Sequence, residues 1–333
     1  MTTAFVLWGG GSLGAAQVGM LRALTAQGVH ADMVVGASVG ALNAAYYAAR
    51  PDVDGVEELA SLWLSVSGHD VYPLSGPQAL RALTLNLPLH PLRGARQALG
   101  IANYTFPFHP LTLTEAMFGR RNYLFDNHSL RRFLRRILPI ENLEDAEIPL
   151  SVLTADVRNG HAVVLSRQQA LPALLASTAI PAIYPNVTIG DQVLMDGGVA
   201  DQTTLDHAVG QGADEVYLLT PGFSCDLPAA PSTPIAMALH GYNLLSEQRI
   251  VTSIGHNQRR TRLHLVPPLC PVEVLPIDFG QTRDLIERAT QATRHWLERG
   301  EPKPGFARRA GDLRADAHPN HPGRRLRACE SAE

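Results

Sequence analysis

The sequence predicts a three-layer α/β/α sandwich around a mainly parallel central sheet, and three observations carry that reading. Short apolar strands alternate with helices through short connections, the pattern of a parallel sheet covered by helices on its faces. Two strand-to-helix junctions near the N-terminus are glycine turns, Gly9-Gly10-Gly11-Ser12-Leu13-Gly14 and Gly36-Ala37-Ser38-Val39-Gly40. With 333 residues, 45% of them hydrophobic and 18% charged, the chain can bury one large core or one domain with a cap.

The first strand, centred on Phe5–Leu7, enters the first glycine turn. A helix follows over Leu13–Ala26, with Ala15, Val18, Leu21 and Ala26 among its inward candidates and Gly28 as its stop. The strand Met33–Val35 leads through the second glycine turn into a helix from Val39 to about Ala49, closed by Arg50-Pro51, and another helix is expected near Val56–Val66. From Tyr72 to about Arg121 the pattern breaks, with Pro73, Pro77, Pro88, Pro91, Pro107 and Pro110 among apolar residues. That is the composition of a cap over a site, and equally of an irregular packed insertion.

Asn127 or its neighbour is expected to cap a helix whose apolar positions are Leu130, Phe133, Leu134 and Ile137, leaving Arg131, Arg132, Arg135 and Arg136 on the other side. This face reads first as a solvated basic surface and second as a contact for anionic lipid. Strands resume at Leu150–Ala155 and Ala162–Leu165, a helix is predicted over Leu171–Thr178, and Gly190-Asp191 makes a two-residue hairpin between Asn186–Ile189 and Gln192–Met195. The hairpin delivers Asp196-Gly197-Gly198. Further on come a helix at Leu205–Gly210, a strand at Val216–Thr220, a long helix around Pro234–Ile250 and a strand at Leu263–Val266. The last helix, about Gln281–Arg299, puts Leu285, Ala289, Ala292 and Trp296 on one face. Beyond Gly300 proline and arginine without apolar periodicity predict a disordered tail.

A formal net charge of −3 argues against a nucleic-acid partner. Cys225, Cys270 and Cys329 are odd in number and match no metal spacing, which fits a reducing compartment. With no readable signal peptide and no run of 18 apolar residues, the expected location is cytoplasmic, with peripheral contact at a membrane surface left open.

The chemistry gathers at three places. Gly36-x-Ser38-x-Gly40 sits between an apolar strand and a helix, the setting in which such a serine is presented on a sharp elbow with its hydroxyl exposed. There the hydroxyl lies in the positive field of the helix N-terminus, and the consecutive glycines of the first turn can bring backbone N–H groups together as an oxyanion hole. The same run also fits Gly9-x-Gly11-x-x-Gly14, the dinucleotide fingerprint, but Asp32 precedes the second strand where an acidic residue should end it. The serine needs a base. His207, His240, His256, His264 and His295 fall in no recognisable catalytic loop, whereas Asp196 leaves a strand straight into a glycine turn and a carboxylate within reach can take the proton itself. Alone, Asp-Gly-Gly is merely a turn.

Together, Gly9–Gly14, Gly36–Gly40 and Asp196–Gly198 resemble the three signature blocks of patatin-like phospholipases in order and setting, and Ala176-Ser177-Thr178-Ala179-Ile180-Pro181 through Tyr184-Pro185 resembles the family's approach to its aspartate. The resemblance runs from about Thr3 to Thr220. It implies a patatin-like catalytic domain over residues 1–220; the cap at about 72–121, an α/β extension at 221–299 and the disordered tail at 300–333 complete the expected domain plan. It also implies a Ser38–Asp196 dyad, an oxyanion hole from Gly10 and Gly11 with help from Gly9 and Ser12, lipid acyl esters as substrate, and chemistry without a metal or other cofactor. Gly14, Gly36, Gly40, Gly197 and Gly198 are the motif glycines. Two positions depart from the family: Leu13 stands where a basic residue is usual, and Ala200-Asp201-Gln202-Thr203 replaces an Asn-x-Pro stretch. The expected function is hydrolysis of a fatty-acyl ester through an acyl-Ser38 intermediate. The rivals are an acyltransferase using the same dyad and a non-catalytic lipid-binding protein.

Overall fold

The computed structural model describes residues 1–66, 122–123, 125–222, 234–269 and 279–299. The cap expected at 72–121 and the tail at 300–333 therefore lie outside the described residues. The strands are β1 (Thr3–Leu7), β2 (Met33–Ala37), β3 (Leu150–Asp156), β4 (Ala162–Leu165), β5 (Val187–Ile189), β6 (Gln192–Asp196), β7 (Glu215–Leu219) and β8 (Arg262–Leu265). The helices are α1 (Gly14–Ala26), α2 (Val39–Ala49), α3 (Val53–Ser65), α4 (His128–Ile137), α5 (Ala170–Ser177), α6 (Thr204–Gly210), α7 (Pro234–Asn257) and α8 (Thr282–Glu298). All eight strands join one sheet in the order β5-β6-β3-β2-β1-β7-β8, with β4 also paired to β3. Pairings among β3, β2, β1, β7 and β8 are parallel, and those of β4, β5 and β6 are antiparallel.

Alternation along β1 shows why three layers form. Phe5 and Leu7 face a core built with α1, α2, α3 and α8, and the Phe5 ring stacks on Tyr47 with centroids 5.4 Å apart. Ala4 and Val6 face the opposite side, where Leu205 and Ala208 of α6 and Ile250 and Ile254 of α7 cover the sheet. Both faces of a parallel sheet need such cover, because its strands are apolar on both sides. Among the described residues, no helix is long and apolar enough to cross a membrane.

Several local expectations shift. α1 is buried nearly all round from Gly14 to Leu21, and Ala26, expected inward, is exposed at its end. The cause is α8, which covers the side of α1 turned from the sheet. The two approach so closely that a Cβ on Gly19 would sit 2.3 Å from the Ile286 carbonyl oxygen. α3 starts three residues before the expected Val56 because Asp52 caps it, accepting the Gly55 N–H at 2.6 Å. Asn127 occupies the N-cap of α4 without a side-chain cap bond, and Asp126 accepts the His128 N–H instead. α7 runs to Asn257, seven residues past the expected end.

Candidate active site

The site begins where β2 stops. Ser38 is one of two described non-glycine residues with positive φ, at φ 55° and ψ −130°, between β2 and α2. A backbone held so far from the common wells costs about 1–3 kcal/mol and persists only where its surroundings enforce it. Glycines enforce it here: a Cβ on Gly40 would lie 2.3 Å from the Leu7 carbonyl oxygen, and one on Gly36 would lie 2.5 Å from that of Gly40. Ser177, at the end of α5 and within the segment that resembles the family's approach to its aspartate, supplies a third constraint. Its buried hydroxyl accepts the Ser38 N–H at 2.9 Å and donates to the Leu153 carbonyl at 2.7 Å.

The first glycine turn lies against this elbow. A Cβ on Gly9 would come within 3.0 Å of the Ser38 Cβ, and one on Gly14 within 2.6 Å of Val39. Gly11, at φ 60°, turns the chain into a single 3-10 turn closed by the Leu13 N–H on the Gly10 carbonyl. Among the described residues, neither the Gly10 nor the Gly11 N–H takes part in a backbone–backbone hydrogen bond outside helices and strands. Ser12 is fully buried beneath them. A satisfied polar network fixes the turn: Gln17 donates to the Trp8 and Leu219 carbonyls, Asn43 to Gln17 and the Gly14 carbonyl, and the Trp63 indole N–H to Asn43.

Asp196 comes from the hairpin. Leu153 of β3 pairs with Ala37 on one side and Val164 of β4 on the other, while Thr154 pairs with Asp196 and Val163. β6 therefore occupies the same edge of β3 as β2, and the two strands end against each other. Asp196 is 1% exposed and Ser38 8%. Asp196 Oδ1 accepts the Gly198 N–H at 2.7 Å and the Tyr242 hydroxyl at 3.4 Å, whereas Oδ2 is buried without a hydrogen-bond partner of normal geometry. Burial pushes its carboxyl up to about 6, opposed by the Ser38 hydroxyl, the Gly198 N–H and Tyr242. Gly197 allows the turn to pass the Leu153 carbonyl, which a Cβ would meet at 2.3 Å. Gly9 thus lies against Ser38, and the Ser38 hydroxyl and the Gly198 N–H bear on the Asp196 carboxylate.

The departures find other roles. Leu13 packs against the main core, and Arg22, the next basic residue, is paired with Glu57. Asp201 accepts the Ala162 N–H and pairs with His161, while Thr203 and Asp206 form a capping box on α6. No described histidine hydrogen-bonds to Ser38 or Asp196: His207 meets the Ser151 hydroxyl and His264 the Glu215 carboxylate. Among the described residues no three His, Cys, Asp or Glu side chains are grouped to hold a metal.

Ser38 opens into a cleft of about 850 Å³, part of it open to solvent. Its walls are apolar, with Leu42, Trp63, Leu130, Phe133, Ile180 and Phe279 among them. The inner face of α4 lines this cleft, so Arg132, Arg135 and Arg136 are exposed on its far side. Chemically, the arrangement offers a strained serine, a buried carboxylate of raised pKa, and an apolar cleft beside them.

Known proteins resemble the chain on this ground. It is 48% identical over 60 residues to a patatin-like phospholipase domain-containing protein of Caenorhabditis elegans, which is 18% of this chain and 4% of that protein. It is 43% identical over 58 residues to the neuropathy target esterase sws of Drosophila melanogaster, 17% of this chain and 4% of that protein. The chain thus spans only a small part of the curated relatives it matches. Among solved structures, VipD from Legionella pneumophila aligns with a TM-score of 0.43 and 15% identity, over 90% of this chain and 67% of that one. A family model described as patatin-like phospholipase matches residues 5–209, more than half of the sequence. The chain belongs to the patatin-like phospholipase family.

Proposed function

We propose that the protein is a serine acyl hydrolase that cleaves fatty-acyl esters of lipids. In this reading the acyl chain lies in the apolar cleft with its ester carbonyl over Ser38. Ser38 Oγ attacks the carbonyl carbon as Asp196 takes the hydroxyl proton, and the N–H groups of Gly10 and Gly11, with Gly9 and Ser12 beside them, receive the oxyanion. The proton passes to the departing alcohol oxygen, leaving an acyl-Ser38 ester. Water, deprotonated by Asp196, then attacks this ester, and Ser38 Oγ departs with the proton returned by Asp196, releasing the fatty acid. A carboxyl with pKa near 6 is ionised at neutral pH yet basic enough to share a proton in flight.

The observation that supports the reading is that Ser38 lines an apolar cleft while its hydroxyl bears on the buried Asp196 carboxyl. The family and the named relatives support a lipid ester as substrate. A fluorophosphonate probe should label the wild type and fail to label Ser38→Ala, which should also lose hydrolysis of a p-nitrophenyl acyl ester. Labelling that survives Ser38→Ala would refute the nucleophile. Transfer products formed with added glycerol or lysolipid, in place of free fatty acid, would assign the acyltransferase reaction instead.

A further inference from the structure

We propose that Tyr242 and Arg249 of α7 are positioning residues that clamp the Asp196–Gly198 turn and so aim the Asp196 carboxylate at Ser38. The inference rests on Asp196 being the base. Tyr242 and Arg249 are seven residues apart, two turns of helix, and so share one face of α7. Their segment lies outside residues 5–209 matched to the family.

The contacts divide the work between two ends of the turn. Arg249 Nη1 donates to the Gly198 carbonyl at 2.9 Å. On the other side of the same residue, the Gly198 N–H donates to Asp196 Oδ1 at 2.7 Å. Tyr242 reaches the same Oδ1, and its hydroxyl stands 2.4 Å from where a Cβ on Gly198 would be. The glycine is required by this approach. With Oδ1 held by two donors, Oδ2 is the oxygen left for the serine proton.

The groups bearing on the Asp196 carboxylate are the Ser38 hydroxyl from α2's start, the Gly198 N–H from its own turn and the Tyr242 hydroxyl from α7. Burial and the neighbouring Asp196 hold the Tyr242 hydroxyl well above its usual value, so it remains a donor. Arg249 Nη2 is buried with no partner among the described residues, and burial lowers the pKa of its guanidinium. An orphaned buried donor costs stability, so what Arg249 contributes is placement of Gly198.

The experiment measures kcat and KM on a p-nitrophenyl acyl ester across pH 5 to 9 for wild type, Tyr242→Phe, Arg249→Lys and Arg249→Met, each checked by thermal melting. Tyr242→Phe removes a donor that favours the ionised carboxylate, so the acid limb of kcat/KM should move up by about half a pH unit or more. Its kcat should fall about twofold or more at pH 6 and recover towards pH 8, with KM within about twofold. Arg249→Met should lose about tenfold or more in kcat at all pH values, and Arg249→Lys, which keeps a cationic donor, should restore part of it. A wild-type acid limb in Tyr242→Phe, or equal kcat in Arg249→Met and wild type, would overturn the clamp. If Tyr242→Phe does not fold, the Lys-against-Met comparison decides alone. Loss of fluorophosphonate labelling in Ser38→Ala together with unaltered Tyr242 and Arg249 variants would leave the serine standing and remove only the clamp.

Discussion

Ser38 and Asp196 follow or end two strands that lie head to head on one edge of β3, with Ala37 opposite Leu153 and Asp196 opposite Thr154. Successive residues of β3 thus set the spacing of the two groups, which makes it a property of the sheet and not of a loop. A site built on sheet register holds its geometry better than one carried by mobile connections.

The first prediction concerns the cost of that placement. The folded Asp196 has a pKa of about 6 against an ordinary 3.8. Its ionised form is therefore disfavoured by folding: the cost is complete above about pH 6, shrinks as pH falls, and is gone below about pH 4. Asp196→Asn should stabilise the fold at pH 7.5 by up to about 3 kcal/mol, with the gain vanishing near pH 4, while lowering kcat by several orders of magnitude. Denaturant unfolding at both pH values checks this, and an equal gain at both would contradict the shifted carboxyl.

With Asp196 as the proposed base, the same carboxyl is expected to set the working range. The wild-type kcat/KM should fall below about pH 6, as Asp196 becomes protonated and can no longer take the serine proton. No single His→Ala change among His207, His240, His256, His264 and His295 should remove this limb. A pH–rate profile for each variant is the measurement.

Ser177→Ala should damage the elbow without touching the cleft. It leaves the Ser38 N–H and the Leu153 carbonyl without their buried partner, a cost of about 1–3 kcal/mol. Because Ser38 holds a strained backbone, kcat should fall about ten- to a hundredfold while KM stays near wild type. A variant that melts earlier yet turns over normally would reduce Ser177 to a structural residue.

Gly19→Ala tests the docking of α8. In an isolated helix the change favours folding by about 0.8–1 kcal/mol. Here the new Cβ would stand 2.3 Å from the Ile286 carbonyl oxygen and 2.9 Å from the Thr290 nitrogen. Both are backbone atoms that cannot swing away, so overpacking, at about 1–3 kcal/mol, should win and lower the Tm.

The primary structure by itself determined the local plan. Apolar runs bounded by glycine and proline place β4 and α2 residue for residue, and β1 and β2 short by two residues each, since period and punctuation are encoded within each segment. The three glycine blocks likewise name Ser38 and Asp196, because tight turns demand particular residues wherever they occur. Tertiary structure decided what depends on segments distant in the chain. The burial of α1 nearly all round comes from α8, the tie between Ser38 and Ser177 spans 139 residues, and Tyr242 reaches Asp196 across 46. Tyr242 carries no motif, and Ser177 stands in the block before Pro181 without a role that block alone assigns. Their role comes from a hydroxyl meeting a partner that only the register of β3 and the docking of α7 bring into range, and no local periodicity encodes that meeting.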